Sequence, residues 1–205
     1  MKSLFNPENF LWQWFGRVGD FFLVSCLWAL CCMPVLTVGA ATVALYDTVA
    51  HCIHGKEQAM FRRFFRTFKN ELKPGCLMSV LWAVGGLVLN MAYQVVAQLT
   101  AGTSFSILGT ACFMLLLIPV GICCWAVAIQ SRFTYSFFAL HRTAVLFTFG
   151  HLPYTAAIVF FFIAALNLVQ NIPFLVMFIP GIAASLQAIF IEKVFAKYMP
   201  KEETA

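Results

Sequence analysis

Charged residues are scarce in this chain. They make up 10% of its 205 residues, whereas an ordinary soluble domain has about 25%. No charge occurs in the 58 residues between Lys73 and Arg132, a stretch long enough for two membrane crossings of about 20 residues each. Hydrophobic residues account for 62% of the sequence and include 23 Phe. This balance excludes a water-soluble globular domain and predicts a polytopic integral membrane protein.

Catalytic and cofactor-binding motifs are also missing. The sequence has no Gly-rich phosphate loop, no Walker motif, no HExxH pair and no G-x-S-x-G elbow. His51 and His54 flank Cys52, but a zinc site needs three or four ligands with supporting partners. The net charge of +5 comes from residues beside hydrophobic runs, which is typical of membrane proteins. We therefore expect no enzyme, no cofactor or metal site, and no nucleic-acid partner.

Five uncharged blocks define the predicted bundle, at 21–46, 74–100, 104–131, 143–170 and 172–191. Eleven of the 13 basic residues lie in 51–73, in 132–151 and after 191. Because cytoplasmic loops are enriched in Lys and Arg, these segments and the C-terminus are predicted to be cytoplasmic. The lipid bilayer of the cytoplasmic membrane is thus the first expected partner of a multi-pass protein.

The predicted fold is all-α, a single membrane domain of five to six membrane segments. Its parts are an interfacial N-terminal segment at 1–17, a broken helix or helical hairpin at 18–54, a basic amphipathic helix at 55–73, a helical bundle at 74–195 and a cytoplasmic tail at 196–205.

The basic segment has the pattern of an amphipathic helix. Its Phe residues recur at helical spacing, and its cations largely occupy the other side. Such a helix lies along the inner leaflet or forms a docking surface for a partner. The candidate membrane-interface or partner-binding residues are Phe61, Arg62, Arg63, Phe64, Phe65, Arg66, Phe68 and Lys69.

Proline interrupts three of the apolar blocks, in CMPVLTVGA, LIPVGICC and FIPGIAAS. Since proline removes a helical hydrogen bond, we predict helix breaks or kinks there. Broken helices that gather around a cavity, as in transporters, are the alternative interpretation. The candidate break residues are Pro34, Gly39, Pro119, Gly121, Pro180 and Gly181.

The break at Pro34 allows two topologies. Block 21–46 has the length of one kinked span, which would put the N-terminus outside. A tight outer turn between two short helices would put it inside, together with all 13 basic residues, and Thr37 could then cap the second helix. The sequence favours this hairpin only slightly.

Amide side chains inside the apolar blocks are costly in lipid and are expected to face the bundle interior. We expect Asn90, Gln94, Asn167 and Gln187 to form interhelical hydrogen bonds, with a substrate path as the alternative.

The sequence contains, in this order, PVLTVGAATVALY, RRFFRTFKNELK, Arg132-Phe133, HLPYT at 151–155 and EKVFAKY at 192–198, which cover nearly the whole chain. Taken together, these stretches resemble the YesL family of bacterial membrane proteins, a family of unknown function. Family members often have an acidic residue directly after the Arg-Phe pair. Thr134 stands there instead, which argues against an ion-pair role for that pair.

The resemblance implies an accessory role in carbohydrate uptake. Together with the missing catalytic groups, it predicts a non-catalytic accessory or regulatory subunit that binds another membrane protein, such as the permease of a carbohydrate ABC transporter. A small stand-alone transporter or channel, with its cavity between the proline-broken helices, is the alternative.

Overall fold

The computed structural model describes residues 10–54, 60–100, 107–133 and 135–198. Within these ranges the chain is helical, and no strand occurs. The helices are α1 (Phe10–Cys31), α2 (Val38–Thr48), α3 (Met60–Asn70), α4 (Leu72–Thr100), α5 (Ile107–Arg132), α6 (Phe137–Gly150), α7 (Leu152–Asn171) and α8 (Ile179–Tyr198). Short 3-10 segments at Val35–Thr37 and Pro173–Met177 precede α2 and α8, and a π-helical segment, Val49–His54, follows α2.

Three of these helices, α4, α7 and α8, are long and apolar enough to cross a membrane. The qualifying stretches are Leu72–Val96, Leu152–Asn171 and Ile179–Tyr198. Four apolar stretches in the described chain are shorter: Gly19–Cys31, Val35–His51, Leu117–Arg132 and Phe137–Gly150. An all-helical protein that contains helices long and apolar enough to cross a membrane is therefore confirmed. The predicted total of five to six membrane segments is not.

α2 is the central helix of the bundle. Nine of its residues are buried, from Gly39 to Thr48 with the exception of Thr42, and it packs against α1, α3, α4, α5 and α8. Small side chains at Gly39, Ala40 and Ala41 let neighbouring backbones approach closely, which is how helices associate where lipid offers no hydrophobic driving force. The burial of α2 agrees with its place in the hydrophobic core beside Trp125 of α5 and Phe195 of α8.

The chain reverses direction at Pro34. Trp28 Nε1 donates a hydrogen bond to Thr42 Oγ1 at 3.3 Å, although fourteen residues of one helix would span about 21 Å. Val24 and Leu27 of α1 also share an apolar cluster with Leu45 of α2. Segment 18–54 is therefore a hairpin, and a single kinked span is excluded.

Thr37 stabilises this turn differently from the prediction. Its hydroxyl makes no cap hydrogen bond to α2. Instead, Thr37 Oγ1 contacts the carbonyl oxygens of Cys31 at 2.6 Å and Pro34 at 2.7 Å. Because the last carbonyls of a helix have no partner inside it, this contact satisfies the end of α1. Thr37 thus occupies the predicted N-cap position of α2, but without a side-chain hydrogen bond to that helix.

Pro119 lies inside a continuous helix, whereas Pro180 lies where a helix begins, directly after the 3-10 segment Pro173–Met177. Pro119 lies inside α5, which continues from Ile107 to Arg132. Pro180 is the second residue of α8, and the first turn is where a helix tolerates proline, because its N–H has no helical partner there. Pro34 alone of the three separates two packed α-helices, so the broken-helix interpretation was wrong for Pro119.

The glycines near these prolines are points of close helix contact. A Cβ at Gly39 would lie 2.4 Å from the carbonyl oxygen of Gly75 in α4. At Gly121 it would lie 2.8 Å from Thr155 Cγ2, and at Gly181 2.9 Å from Ser25 Oγ. These residues are therefore needed for packing between helices, rather than for interrupting them.

The hairpin leads to a prediction about topology. We expect an epitope tag placed before residue 10 and a second tag inserted within 55–59 to lie on the same membrane face, because both flank the open end of the α1–α2 hairpin. Protease protection in oriented vesicles measures this. A tag within 101–106 is the control, since the charge distribution puts that segment on the opposite face. Opposite faces for the first two tags would contradict the hairpin.

Candidate functional site: the polar end of the bundle

Charged and amide side chains gather at one end of the bundle, where α2, α5 and α8 approach their C-termini and α3 and α4 begin. We call this region the polar end; it comprises Asp47, Arg63, Glu71, Gln130, Arg132 and Glu192. Of these six residues, the sequence patterns had indicated only Arg63 as a candidate site residue. The signal that could have indicated Asp47 and Glu192 is their position at the edges of apolar blocks.

Asp47 forms the most buried ionic contact of this region. Its carboxylate accepts hydrogen bonds from Arg63 Nε at 3.0 Å and Arg63 Nη2 at 3.1 Å, and from Thr67 Oγ1 at 2.7 Å. His51 Nδ1 lies 3.0 Å from Asp47 Oδ1. The Asp47 side chain is 6% exposed and that of Arg63 15%. This two-pronged contact fixes α3 against the end of α2.

The surroundings of Asp47 keep it ionised. Asp47 lies outside the three helices that could span a membrane. Burial alone would raise its pKa, but hydrogen bonds from His51, Arg63 and Thr67, together with the charge of Arg63, hold the pKa well below its ordinary value. Paired charges of this kind hold their geometry because either charge alone would be costly to bury.

His51 is therefore part of a carboxylate contact. Its Nδ1 atom lies near both the side chain and the backbone carbonyl of Asp47. No group of three or more potential metal ligands occurs among the described residues, and the side chains of Cys52 and His54 lie outside them.

Arg132 forms a second ion pair. Its Nη2 donates a short hydrogen bond to Glu192 of α8, with the two side chains 23% and 33% exposed. The sequence argued against such a role because Thr134 replaces an adjacent acid. That inference was wrong, because the carboxylate comes from a residue 60 positions away.

A cavity of about 240 Å³ opens beside these pairs, between the start of α4, the end of α5 and the start of α6. Gln130 Nε2 donates to Glu71 Oε2 at 2.7 Å in its wall. The lining residues are Asn70, Glu71, Pro74, Gln130, Phe133, Tyr135, Phe137 and Leu140. The three proline-containing stretches contribute none of them, so this cavity is not the one expected between broken helices.

His151, from the HLPYT stretch, lies among aromatic rings. Phe147 stacks on it at 5.8 Å between ring centroids, and Trp125, Tyr154 and Tyr198 lie at 6.3, 6.4 and 5.6 Å. Four residues on, Thr155 Oγ1 accepts a 2.9 Å hydrogen bond from Trp125 Nε1. The stretch thus joins α5, α7 and α8 around a buried tryptophan.

α3 turns only part of its Phe stripe toward the bundle. Phe64 is fully buried and Phe68 packs against the same cluster, whereas Phe61 and Phe65 are 50% and 45% exposed. At about 100° per residue, the face that meets α2 is centred between Phe64 and Arg63. It therefore combines half of the apolar stripe with one cation.

The remaining cations of α3 stay at the surface. Arg62, Arg66 and Lys69 are exposed, whereas Arg63 is bound to Asp47. The eight candidate residues of this helix thus divide into a bundle-facing set and an exposed set. The exposed basic surface of α3 comprises Phe61, Arg62, Phe65, Arg66 and Lys69.

The candidate amides do not connect helices as expected. Gln94 Nε2 donates to Asn90 Oδ1 at 2.8 Å, and Asn167 Nδ2 donates to the Ile163 carbonyl at 3.0 Å, each within one helix. Asn90, Gln94 and Asn167 are exposed, and Gln187 is half-buried. An interior position was wrong for the first three, because a partner four residues away already satisfies one polar group of each side chain.

Hydroxyl groups form the interhelical contacts instead. Ser79 Oγ of α4 accepts a 2.7 Å hydrogen bond from the backbone N–H of Gly39 in α2. Ser25 Oγ of α1 likewise accepts one from Gly181 of α8 at 2.9 Å. A hydroxyl is short enough to bond where glycine brings two backbones together, whereas an amide needs more space.

The N-terminal part of this fold matches a known protein-family model. Residues 21–93 match the family model described as "Protein of unknown function, DUF624". The match contains the hairpin from Phe21 onward, α3 and most of α4, so it includes the Asp47–Arg63 contact and the Gly39–Gly75 crossing. No curated protein and no solved structure gives a significant match.

Proposed function

We propose that this chain is a non-catalytic accessory or regulatory subunit that binds another membrane protein. The observation that supports this proposal is the fixed orientation of α3. Phe64 and the Arg63–Asp47 pair attach one face of the helix to the bundle, and the opposite face carries exposed cations. A helix that is already fixed in orientation suits recognition, because its backbone does not have to be ordered when a partner binds.

The proposed partner presents acidic residues near the membrane surface. Arg62, Arg66 and Lys69 are complementary to such a surface, and Phe61 and Phe65 provide apolar contacts beside them. The resemblance to the YesL family makes the permease of a carbohydrate ABC transporter the first partner to test. We propose that α3 and the C-terminus lie on the cytoplasmic side of the membrane, because Lys and Arg are concentrated in both segments.

Affinity purification from native membranes in mild detergent tests this function. We expect stoichiometric recovery of transporter subunits with the wild-type chain, and a several-fold lower recovery when Arg62, Arg66 and Lys69 are all changed to Gln, since charged surface residues set association rates. Arg63 is left unchanged, because its loss would also disturb folding.

A second triple variant serves as the control. Arg142, Lys193 and Lys197 are exposed cations outside α3, and their replacement by Gln removes the same charge. An equal reduction in partner recovery with both triple variants would show that net charge, rather than the surface of α3, determines binding. Purification of the wild-type chain alone, together with solute movement in liposomes, would refute the accessory function in favour of a small transporter.

A further inference from the structure

The cavity beside Glu71 has a carboxylate acceptor in its wall. The Glu71 carboxylate is half-buried, and Gln130 is 8% exposed. Because Gln130 Nε2 donates to Glu71, the amide group is oriented with its Oε1 atom away from that contact. Gln130 Oε1 is buried and has no hydrogen-bond partner among the described residues. Because this oxygen has almost no accessible surface, the acceptor that a ligand in the cavity can reach is the Glu71 carboxylate. A carboxylate is suited to a ligand that brings N–H groups.

Aromatic rings complete the cavity. Phe133 and Tyr135 lie 5.8 Å apart between centroids, and Phe137 also lines the space. The faces of such rings attract cations, and so does the carboxylate of Glu71. A primary ammonium group satisfies these features together, because it carries a positive charge and three N–H donors. A quaternary ammonium group has the charge but no donor.

Two lysines next to the cavity restrict the ligand further. Lys69 and Lys73 are exposed and adjoin the lining residues Asn70 and Pro74 in the chain. They would repel a simple amine but attract a phosphate group. The ligand that fits both features is a zwitterion, with its ammonium group in the cavity and its phosphate group near the lysines.

The position of the cavity favours a lipid as the source of this zwitterion. The cavity lies at the start of α4, in a stretch long and apolar enough to span the membrane. In the following turns Leu77, Val80 and Leu81 are 52%, 46% and 42% exposed. Acyl chains can cover this surface while the headgroup reaches the cavity.

We propose that the cavity binds the headgroup of an aminophospholipid. Glu71 accepts hydrogen bonds from its primary ammonium group, and Lys69 and Lys73 pair with its phosphate group. This site shares Lys69 with the exposed basic surface of α3, but it does not depend on the proposed protein partner.

Native mass spectrometry of the detergent-purified full chain tests the proposal. The protein is titrated with phosphatidylethanolamine, phosphatidylcholine or phosphatidylglycerol of identical acyl chains, and separately with free phosphoethanolamine. We expect phosphatidylethanolamine to bind about tenfold or more tightly than phosphatidylcholine, which lacks N–H donors. Glu71→Gln is expected to remove this preference.

Two further variants keep the test decisive. Asp20→Asn removes one carboxylate from α1, outside the cavity, and should leave the lipid preference intact. Tyr135→Leu changes an exposed ring and should weaken phosphatidylethanolamine binding by about two- to fivefold, which can be measured even if Glu71→Gln does not fold. Equal binding of all three lipids by the wild type would overturn the site. Binding of free phosphoethanolamine without any lipid preference would overturn the assignment to a lipid.

Discussion

Replacing Gly75 with alanine is expected to destabilise the protein strongly. The new Cβ would lie 2.6 Å from the backbone nitrogen of Ala40 and 2.7 Å from its Cα, distances at which α2 and α4 must move apart. Gly39→Ala adds a methyl group to the α2 side of the same helix crossing. Its Cβ would lie 2.4 Å from the Gly75 carbonyl oxygen and 2.9 Å from Ser79 Oγ. Overpacking by one methyl group typically costs about 1–3 kcal/mol, and the upper end applies where backbone atoms oppose it.

The same helix provides matched controls. A methyl group added at Gly85 or Gly86 of α4 would have no atom within 4 Å other than those of the local helix. Alanine there should be neutral or stabilising by about 0.5–1 kcal/mol, because alanine has the higher helix propensity.

Thermal unfolding in detergent, followed by tryptophan fluorescence and size-exclusion chromatography, distinguishes the two outcomes. The crossing variants should unfold at lower temperature, and the control variants should not. If Gly75→Ala and Gly85→Ala behaved alike, α2 and α4 would not be in backbone contact.

Sequence patterns predicted the elements of this fold better than their contacts. The composition and the charge-free blocks predicted helices able to cross a membrane, and the spacing of Phe in 61–68 predicted helix α3. These features are local, since they depend on the periodicity of one segment. The choice between hairpin and kink at Pro34 depended on whether residues 14 positions apart meet, and local pattern could favour the hairpin only slightly.

The candidate site shows the same limit. Arg63 has the same residue type as Arg62 and Arg66, yet it contacts Asp47 because of the rotation of α3 about its axis. That rotation depends on the position of α2, which cannot be predicted from the periodicity of α3. Likewise, Gln130 resembles Asn90 and Gln94 in sequence, but the carboxylate of Glu71, in the turn before α4, lies within its reach. Asn90 and Gln94 instead bond each other.

Arg63→Met is expected to destabilise the protein by about 3–5 kcal/mol, because it leaves the buried carboxylate of Asp47 without its charged partner. Asp47→Asn should also destabilise the protein, because it removes the carboxylate that accepts hydrogen bonds from Arg63 and Thr67. The double variant Asp47→Asn/Arg63→Met should recover much of the loss, since replacing both charges removes the penalty of burying one alone. Thermal unfolding of the four proteins gives the coupling energy between the two residues.

Arg62→Met is the control for this cycle. Arg62 is exposed and adjacent to Arg63, so its replacement should change stability by no more than about 0.5 kcal/mol. Equal losses for Arg62→Met and Arg63→Met would refute a structural role for the pair. The cycle also bears on the proposed function, because the pair orients the exposed surface of α3. If that orientation matters, Arg63→Met should lower partner recovery even at temperatures where the variant remains folded. Partner recovery with the double variant should then depend on whether α3 keeps its orientation, rather than on the net charge of the helix.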